Sequence, residues 1–253
     1  MTAARRADVC AVALAELFRG DGEILANPIG TLPMIGGRLA RETFAPDLVM
    51  TDGEALLVRN PVPVGVDDPP KTVEGWNPYR TMFDVVWSGR RHVVMVPVQI
   101  DRHGNVNIAW IGDEPARPKV QLLGFRGGPG NTICHASSYW IPNHSRRVFV
   151  DAVDVVVAIG YDRARALGPA ARWHRIPAVV TNLAVLDFET EDRVMRLRSL
   201  HPGVSVEAMA EATGFDVVIP DQVPESRLPT EEEMRVIEAV YPTGLRYEKV
   251  PDP

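Results

Sequence analysis

Along the 253-residue chain the spacing of apolar residues switches between a helical period and a strand period, and each switch marks an element. Ala11, Leu14, Ala15 and Phe18 fall on one face of an amphipathic helix that Gly20 and Gly22 end. Glu23-Ile24-Leu25-Ala26 reads as a short strand, and Gly30–Gly37 leads into a helix through Arg38–Glu42. Leu48-Val49-Met50-Thr51 is a continuous apolar run, the pattern of a strand buried on both faces of a parallel sheet. Strand, helix and strand at this spacing predict a βαβ unit. Residues 59–80 are rich in Pro, Gly and Asp and predict a long ordered loop, functional or partner-facing.

Farther on, His92–Ile111 predicts two strands joined around Asp101–Asn105, with His103-Gly104-Asn105 as the turn. Residues 148–160 and 176–189 read as further apolar strands, bounded by Gly160 and Pro177. Ser205 caps a helix with Glu207 in its first turn and Gly214 at its end. Residues 229–244 read as another helix, with Thr230 capping it and Glu231–Glu233 at its N-terminal dipole. No repeat or linker interrupts this order. The expectation is one α/β domain over residues 1–253, with a mixed, largely parallel sheet flanked by helices.

Charge narrows the function classes. With 27 basic and 33 acidic residues the net charge is −6, which argues against a nucleic-acid partner. No run of ~18 uncharged apolar residues exists, so no membrane span is expected. Arg5 and Arg6 precede an apolar stretch as in a signal peptide, but Asp8, Glu16 and Arg19 interrupt it. Cys10 and Cys134 match neither a metal-ligand spacing nor a C-x-x-C motif and read as buried thiols. A soluble, cytoplasmic protein without a metal follows as the expectation.

Three groups of residues carry candidate chemistry. Asp52 and Glu54, around Gly53, stand at the carboxyl end of a buried strand, where open α/β sheets place their ligands. A turn acid bonding its own backbone is the plainer reading of the same residues. The segment Arg126-Gly127-Gly128-Pro129-Gly130-Asn131 offers a fixed cation beside a glycine loop whose amides can face an oxyanion or a phosphate. It is neither a P-loop nor a dinucleotide fingerprint, and a Gly-Pro turn beside a core strand is the alternative. His135 follows as a titratable group. Third, Gln99, Asp101, His103, Asn105 and Asn107 form a polar edge flanking the hairpin, most simply a solvated face. The pairs Arg90-Arg91 and Arg146-Arg147 can meet phosphates or form surface ion pairs. The clusters Tyr139-Trp140 and Trp76–Tyr79 read as core or interface anchors. No G-x-S-x-G elbow accompanies Ser137, His135 or His144.

Taken together, several of these segments resemble the β chain of class I coenzyme A (CoA) transferases. They are residues 30–54, 98–112, the glycine segment 125–137, 153–160 and 179–217, and they occur in the family's order. The run Ser199-Leu200-His201-Pro202-Gly203-Val204 before a short amphipathic helix is quite specific to the group. The resemblance implies a homologous α subunit that forms a shared active site. It also implies an acyl-CoA substrate, no permanently bound cofactor, and an active site faced by the strand-end acid and the glycine loop. In the transferases a strand-end glutamate forms a thioester with CoA. The matching stretch is Thr51-Asp52-Gly53-Glu54, so an aspartate one methylene shorter replaces that glutamate. A nucleophile displaced by ~1.5 Å can lose ~10²-fold in rate.

That departure, with Trp76-Asn77-Pro78-Tyr79 and Cys134–Ser138, is similar to a narrower branch, the β subunits of IpdAB-type steroid ring-cleaving hydrolases. The branch implies hydrolysis of a carbon–carbon bond in a CoA-linked diketone, with the general base on the α chain. Asp52, Arg126, Gly127, Gly128, Gly130, Asn131 and Gln99 would then orient the ring carbonyl and stabilise its anion. The alternatives are a true CoA transferase using Asp52 or Glu54, and a non-catalytic β chain.

Overall fold

The computed structural model describes residues 4–63, 66–241 and 244–250. These form two compact units, Met1–Met95 with Arg227–Pro253, and Val96–Ser226.

In the first unit α1 spans Arg6–Glu16. It is buried on nearly every side, Asp8 included, so it is a core helix and not the one-faced amphipathic helix expected. β1 (Leu25–Pro28) precedes α2 (Thr31–Thr43). The helix starts seven residues earlier than its periodicity suggests, because Gly30, at φ 102°, turns the chain directly into it. Gly36 makes the α1–α2 contact possible, since a Cβ there would stand 2.7 Å from Leu14 Cβ.

The apolar run at residues 48–51 pairs through isolated bridges only. Val49 bridges Leu25 in parallel, as a βαβ unit requires, and Thr51 bridges Leu57 antiparallel. No longer strand forms because the chain reverses at Asp52-Gly53 and runs back as β2 (Leu56–Val58). β2 pairs antiparallel with β3 (Val73–Trp76), and α3 (Tyr79–Val86) follows. Of the expected loop at 59–80, residues 64–65 lie outside the described residues, and the described part contains β3 and the start of α3. β4 (Arg91–Met95) pairs in parallel with β1.

The second unit opens with the expected hairpin, β5 (Gln99–Ile100) and β6 (Val106–Asn107), paired antiparallel. β7 (Trp110–Ile111) and β8 (Val120–Gln121) pair antiparallel as well. α4 (Gly128–Cys134) leads into β9 (Ala136–Ile141). Residues 148–160 form no continuous strand, contrary to their pattern. They wrap the first hairpin, bridging Ile100 from Phe149 and Val106 from Ala158. α5 (Tyr161–Leu167) follows. β10 (Val179–Thr181), β11 (Ala184–Asp187) and β12 (Arg196–Leu200) complete the unit's sheet, in the order β9-β10-β11-β12. β9 and β10 are parallel and the other two pairs antiparallel, which makes the sheet mixed. α6 (Val206–Glu211) is capped by Ser205, whose Oγ accepts from Ala208 N at 3.1 Å.

The chain then returns to the first unit as α7 (Glu231–Val240) and α8 (Arg246–Lys249). α7 starts with the expected capping box, in which Thr230 Oγ1 accepts from Glu233 N and Glu233 Oε2 from Thr230 N. The predicted continuation past Tyr241 falls partly on residues 242–243, outside the described residues. Among the described residues no helix is long and apolar enough to cross a membrane.

Candidate functional site

Asp52 sits where the chain reverses, and its side chain is 1% exposed. Its Oδ1 accepts from the backbone N–H of Glu54 (3.0 Å) and of Leu56 (3.2 Å). Its Oδ2 accepts from Lys71 Nζ at 2.9 Å. Burial pushes this carboxyl up, but the Lys71 ammonium and the two amides outweigh burial and hold it below the usual carboxylate range. Asp52 is therefore a fixed anion with its oxygens engaged, which realises the turn-acid alternative. Glu54 lies exposed on the same turn.

Two buried arginines of α2 brace this turn from below. Arg38 donates to Thr51 O (2.8 Å), Val58 O (3.2 Å) and Asn60 O (3.2 Å). Arg41 donates to Val58 O (2.5 Å) and to Glu74 Oε2 (2.6 Å). Burial, then the neighbouring Arg41 charge, lowers the Arg38 pKa to about 10, so it stays cationic. Sequence reasoning missed Lys71, Arg38 and Asn60. Lys71 stands in a Pro-Pro-Lys-Thr run with no periodicity to assign it a partner, and the helix through Arg38–Glu42 carries no sign of what its arginines bind.

Beyond that hairpin, Trp76 and Tyr79 are 72% and 81% exposed, and α3 buries none of its residues. A groove of about 410 Å³ beside them is lined by Ile24, Leu25, Val49, Leu57, Trp76 and Val85, among others. Tyr139 and Trp140, the other aromatic pair, are core residues of β9. Of the basic pairs, Arg91 is buried on β4, whereas Arg90, Arg146 and Arg147 are exposed.

In the second unit Gln99, Asp101, Asn105 and Asn107 of the polar edge are interior and not solvated, while His103 is half-buried. Gln99 Oε1 accepts from Asn107 Nδ2 (2.7 Å) and Asp154 N (3.0 Å), and its Nε2 donates to Asp154 Oδ1 (3.0 Å). Asp154 Oδ2 in turn accepts from Gly112 N at 2.6 Å. The Gln99 amide is thus engaged in holding the hairpin to residues 112 and 154. Asp101 closes the turn by accepting from His103 N, Asn105 N and Asn105 Nδ2. Asn105 also donates to Asp162 and accepts from Gly160 N. Burial raises the Asp101 carboxyl, against the pull of these amides.

The expected glycine loop is instead the opening of α4. Gly127 is the N-cap, Gly128 N donates to Phe125 O (3.0 Å), and Asn131 N donates to Gly127 O (2.9 Å). The Gly128 and Asn131 amides are thereby engaged inside the turn. Gly128 also has a packing role, since a Cβ there would meet Val157 Cγ1 at 2.6 Å. Gly130 lies within the helix, half-buried. Arg126 is exposed, at φ 49°, in the left-handed region that side chains rarely adopt. Strain of this kind gathers at ligand-contacting positions. His135, at the helix end, is fully buried with Nδ1 3.1 Å from Ala136 O.

Cys10 and Cys134 are buried thiols not joined in a disulfide. Among the described residues no three His, Cys, Asp or Glu side chains gather as a metal site.

No family model matches the chain. The IpdB subunit of the cholesterol ring-cleaving hydrolase of Rhodococcus jostii (strain RHA1) is 49% identical to it over 251 residues, 99% of this chain and 98% of that protein. The 3-oxoadipate CoA-transferase of Pseudomonas knackmussii supplies a more distant relative: one of its subunits is 30% identical over 219 residues, 83% of each chain. The crystal structure of Rhodococcus jostii RHA1 IpdAB matches with a TM-score of 0.92 at 49% identity, covering 98% of this chain and 99% of that one.

Proposed function

Because the chain belongs to the family of IpdB subunits of cholesterol ring-cleaving hydrolases, within the wider CoA-transferase group, we propose that it is the β subunit of a heteromeric enzyme hydrolysing a carbon–carbon bond in the last ring of a CoA-linked steroid catabolite. Both units together form its single domain, the α subunit is homologous, and the assembly is cytoplasmic. CoA enters as part of the substrate, and no cofactor is permanently bound.

The observation that carries hydrolysis over transfer is the state of Asp52. A transferase needs a strand-end carboxylate free to attack a thioester. Asp52 is short, 1% exposed, and engaged by two amides and an ammonium. Water is then the nucleophile. Its oxygen bonds to the ring carbonyl carbon, the carbon–carbon bond breaks, and the electron pair leaves as an enolate stabilised by the second ketone. The enolate carbon takes a proton, and the other fragment ends as a carboxylate. The α chain supplies the base, and Arg126 presents its guanidinium to the carbonyl oxygen as negative charge develops there.

The test uses the complex with its α chain, incubated with acyl-CoA and borohydride, followed by an intact mass of this chain. An unmodified mass, together with a ring-opened CoA product from a cyclic diketone, is the expected result. A mass loss on the peptide carrying Asp52 and Glu54, from a thioester carbonyl reduced to an alcohol with release of CoA, makes the enzyme a transferase.

A further inference from the structure

We propose that Lys71, and not Asp52, is the group of this hairpin that meets the substrate: its ammonium binds an anionic oxygen of the acyl group, and Asp52 is its positioning residue. This rests on the acyl-CoA reading above and adds a binding residue to it.

Accessibility is the first argument. The Asp52 side chain is 1% exposed, whereas that of Lys71 is 28% exposed. Both Asp52 oxygens already accept hydrogen bonds, while an ammonium carries three N–H groups and Asp52 takes one. Of the two charges, the cation is the one that a ligand can reach.

Preorganisation is the second. Asn60 fastens the chain on either side of Lys71, donating from Nδ2 to Pro70 O (2.8 Å) and accepting at Oδ1 from Thr72 N (2.6 Å). Arg59 N adds a bond to Thr72 O at 2.9 Å. The turn holding Asp52 is braced in turn by Arg38 and, through Val58, by Arg41. Lys71 is thus held at its backbone and at its tip. An ordinary surface lysine keeps its rotamer freedom, and its ion pairs contribute little. A cation fixed before ligand arrives is the arrangement that stabilises developing negative charge most effectively.

The ligand chemistry is an enolate or carboxylate oxygen. The CoA thioester of a cyclic β-diketone supplies it, since such diketones ionise to enolates near neutral pH. That thioester is the probe, titrated calorimetrically into the complex of this chain with its α chain. Lys71→Met is expected to weaken binding at least tenfold and to lower kcat/KM by about 10²-fold, the scale for loss of one oxyanion donor. Lys71→Arg is expected to restore most of the binding. Asp52→Asn, which frees the lysine, is expected to cost less than Lys71→Met, and the double variant no more than Lys71→Met alone. Subunit assembly should stay at the wild-type level in Lys71→Met, with a lowered melting temperature because Asp52 loses its cation. Affinity and kcat/KM of Lys71→Met within threefold of wild type would overturn the proposal, as would an equal loss in Lys71→Arg. If the wild-type complex binds the probe without opening its ring, the hydrolase reading fails instead, and the affinity of Lys71→Met still decides the role of Lys71.

Discussion

Arg126 and His144 illustrate opposite ways in which a single residue departs from its ordinary state. Arg126 holds a backbone conformation suited to glycine while its side chain lies in solvent. Strain of this kind costs about 1 kcal/mol or more. Arg126→Gly is therefore expected to keep or raise the urea midpoint while turnover of the complex falls by about 10²-fold. A lowered midpoint would mean that the conformation serves packing. His144 is buried, stacked on Phe149 at 3.8 Å, with Nδ1 on Thr181 Oγ1 and Nε2 on Thr213 Oγ1. Burial pushes its pKa down to about 3 from the ordinary 6.5. The unfolded chain thus takes up the proton first as pH falls. The contribution is full above pH ~6.5 and declines toward pH 3, by up to about 1.4 kcal/mol per pH unit. Unfolding titrations between pH 7 and 4 should show that slope reduced in His144→Gln. His174, also pushed down by burial, keeps part of it.

At the scale of elements, close approach decides where side chains are forbidden. α1 and α2 touch at Gly36, where a Cβ would lie 2.7 Å from Leu14 Cβ and 3.0 Å from Ala15 N. Gly36→Ala must push the helices apart, although alanine is the better helix former. Overpacking of this size costs about 1–3 kcal/mol, which lowers the melting temperature by several degrees. An unchanged melting temperature would show that α1 shifts freely. In the second unit, one hydroxyl organises the β10–β11 turn. Thr181 Oγ1 accepts from Leu183 N and Ala184 N, and His201 reaches Thr181 O through Nε2. His201 Nδ1 lies 3.0 Å from Ser226 Oγ, so the run specific to the group, Ser199–Val204, has a structural use. Among the elements that the pattern does not predict, α3, α5 and β12 share one cause. They are only eight, seven and five residues long, too short for their period to separate them from loop.

For the whole molecule, the chain closes its first unit only after completing the second. α7 begins 136 residues after β4 ends (Met95 to Glu231), and α8 brings Arg246 to α1. Arg246 Nε donates to Asp8 Oδ1 at 2.8 Å, with both side chains fully buried. Glu238 also pairs with that guanidinium. Asp8→Asn leaves a buried cation with less compensation, and losing one member of such a pair costs about 3 kcal/mol. Chemical denaturation should show that loss. A change below ~1 kcal/mol would mean that Glu238 alone satisfies the arginine.

The sequence by itself determined the class and the local signals. It yielded an α/β chain, the hairpin at Asp101–Asn105, and the caps at Ser205 and Thr230. These depend on neighbours within a few residues, where period and turn chemistry act directly. Only the tertiary structure decided that α1 is buried on nearly every side, that Gln99, Asp101, Asn105 and Asn107 are interior, and that Gly127–Asn131 opens a helix. Only it gave Asp52 its partner, nineteen residues away across a proline-rich loop. Burial and long-range pairing are set by which surfaces meet, and a solvated acid and a buried, paired one are the same letter in the chain.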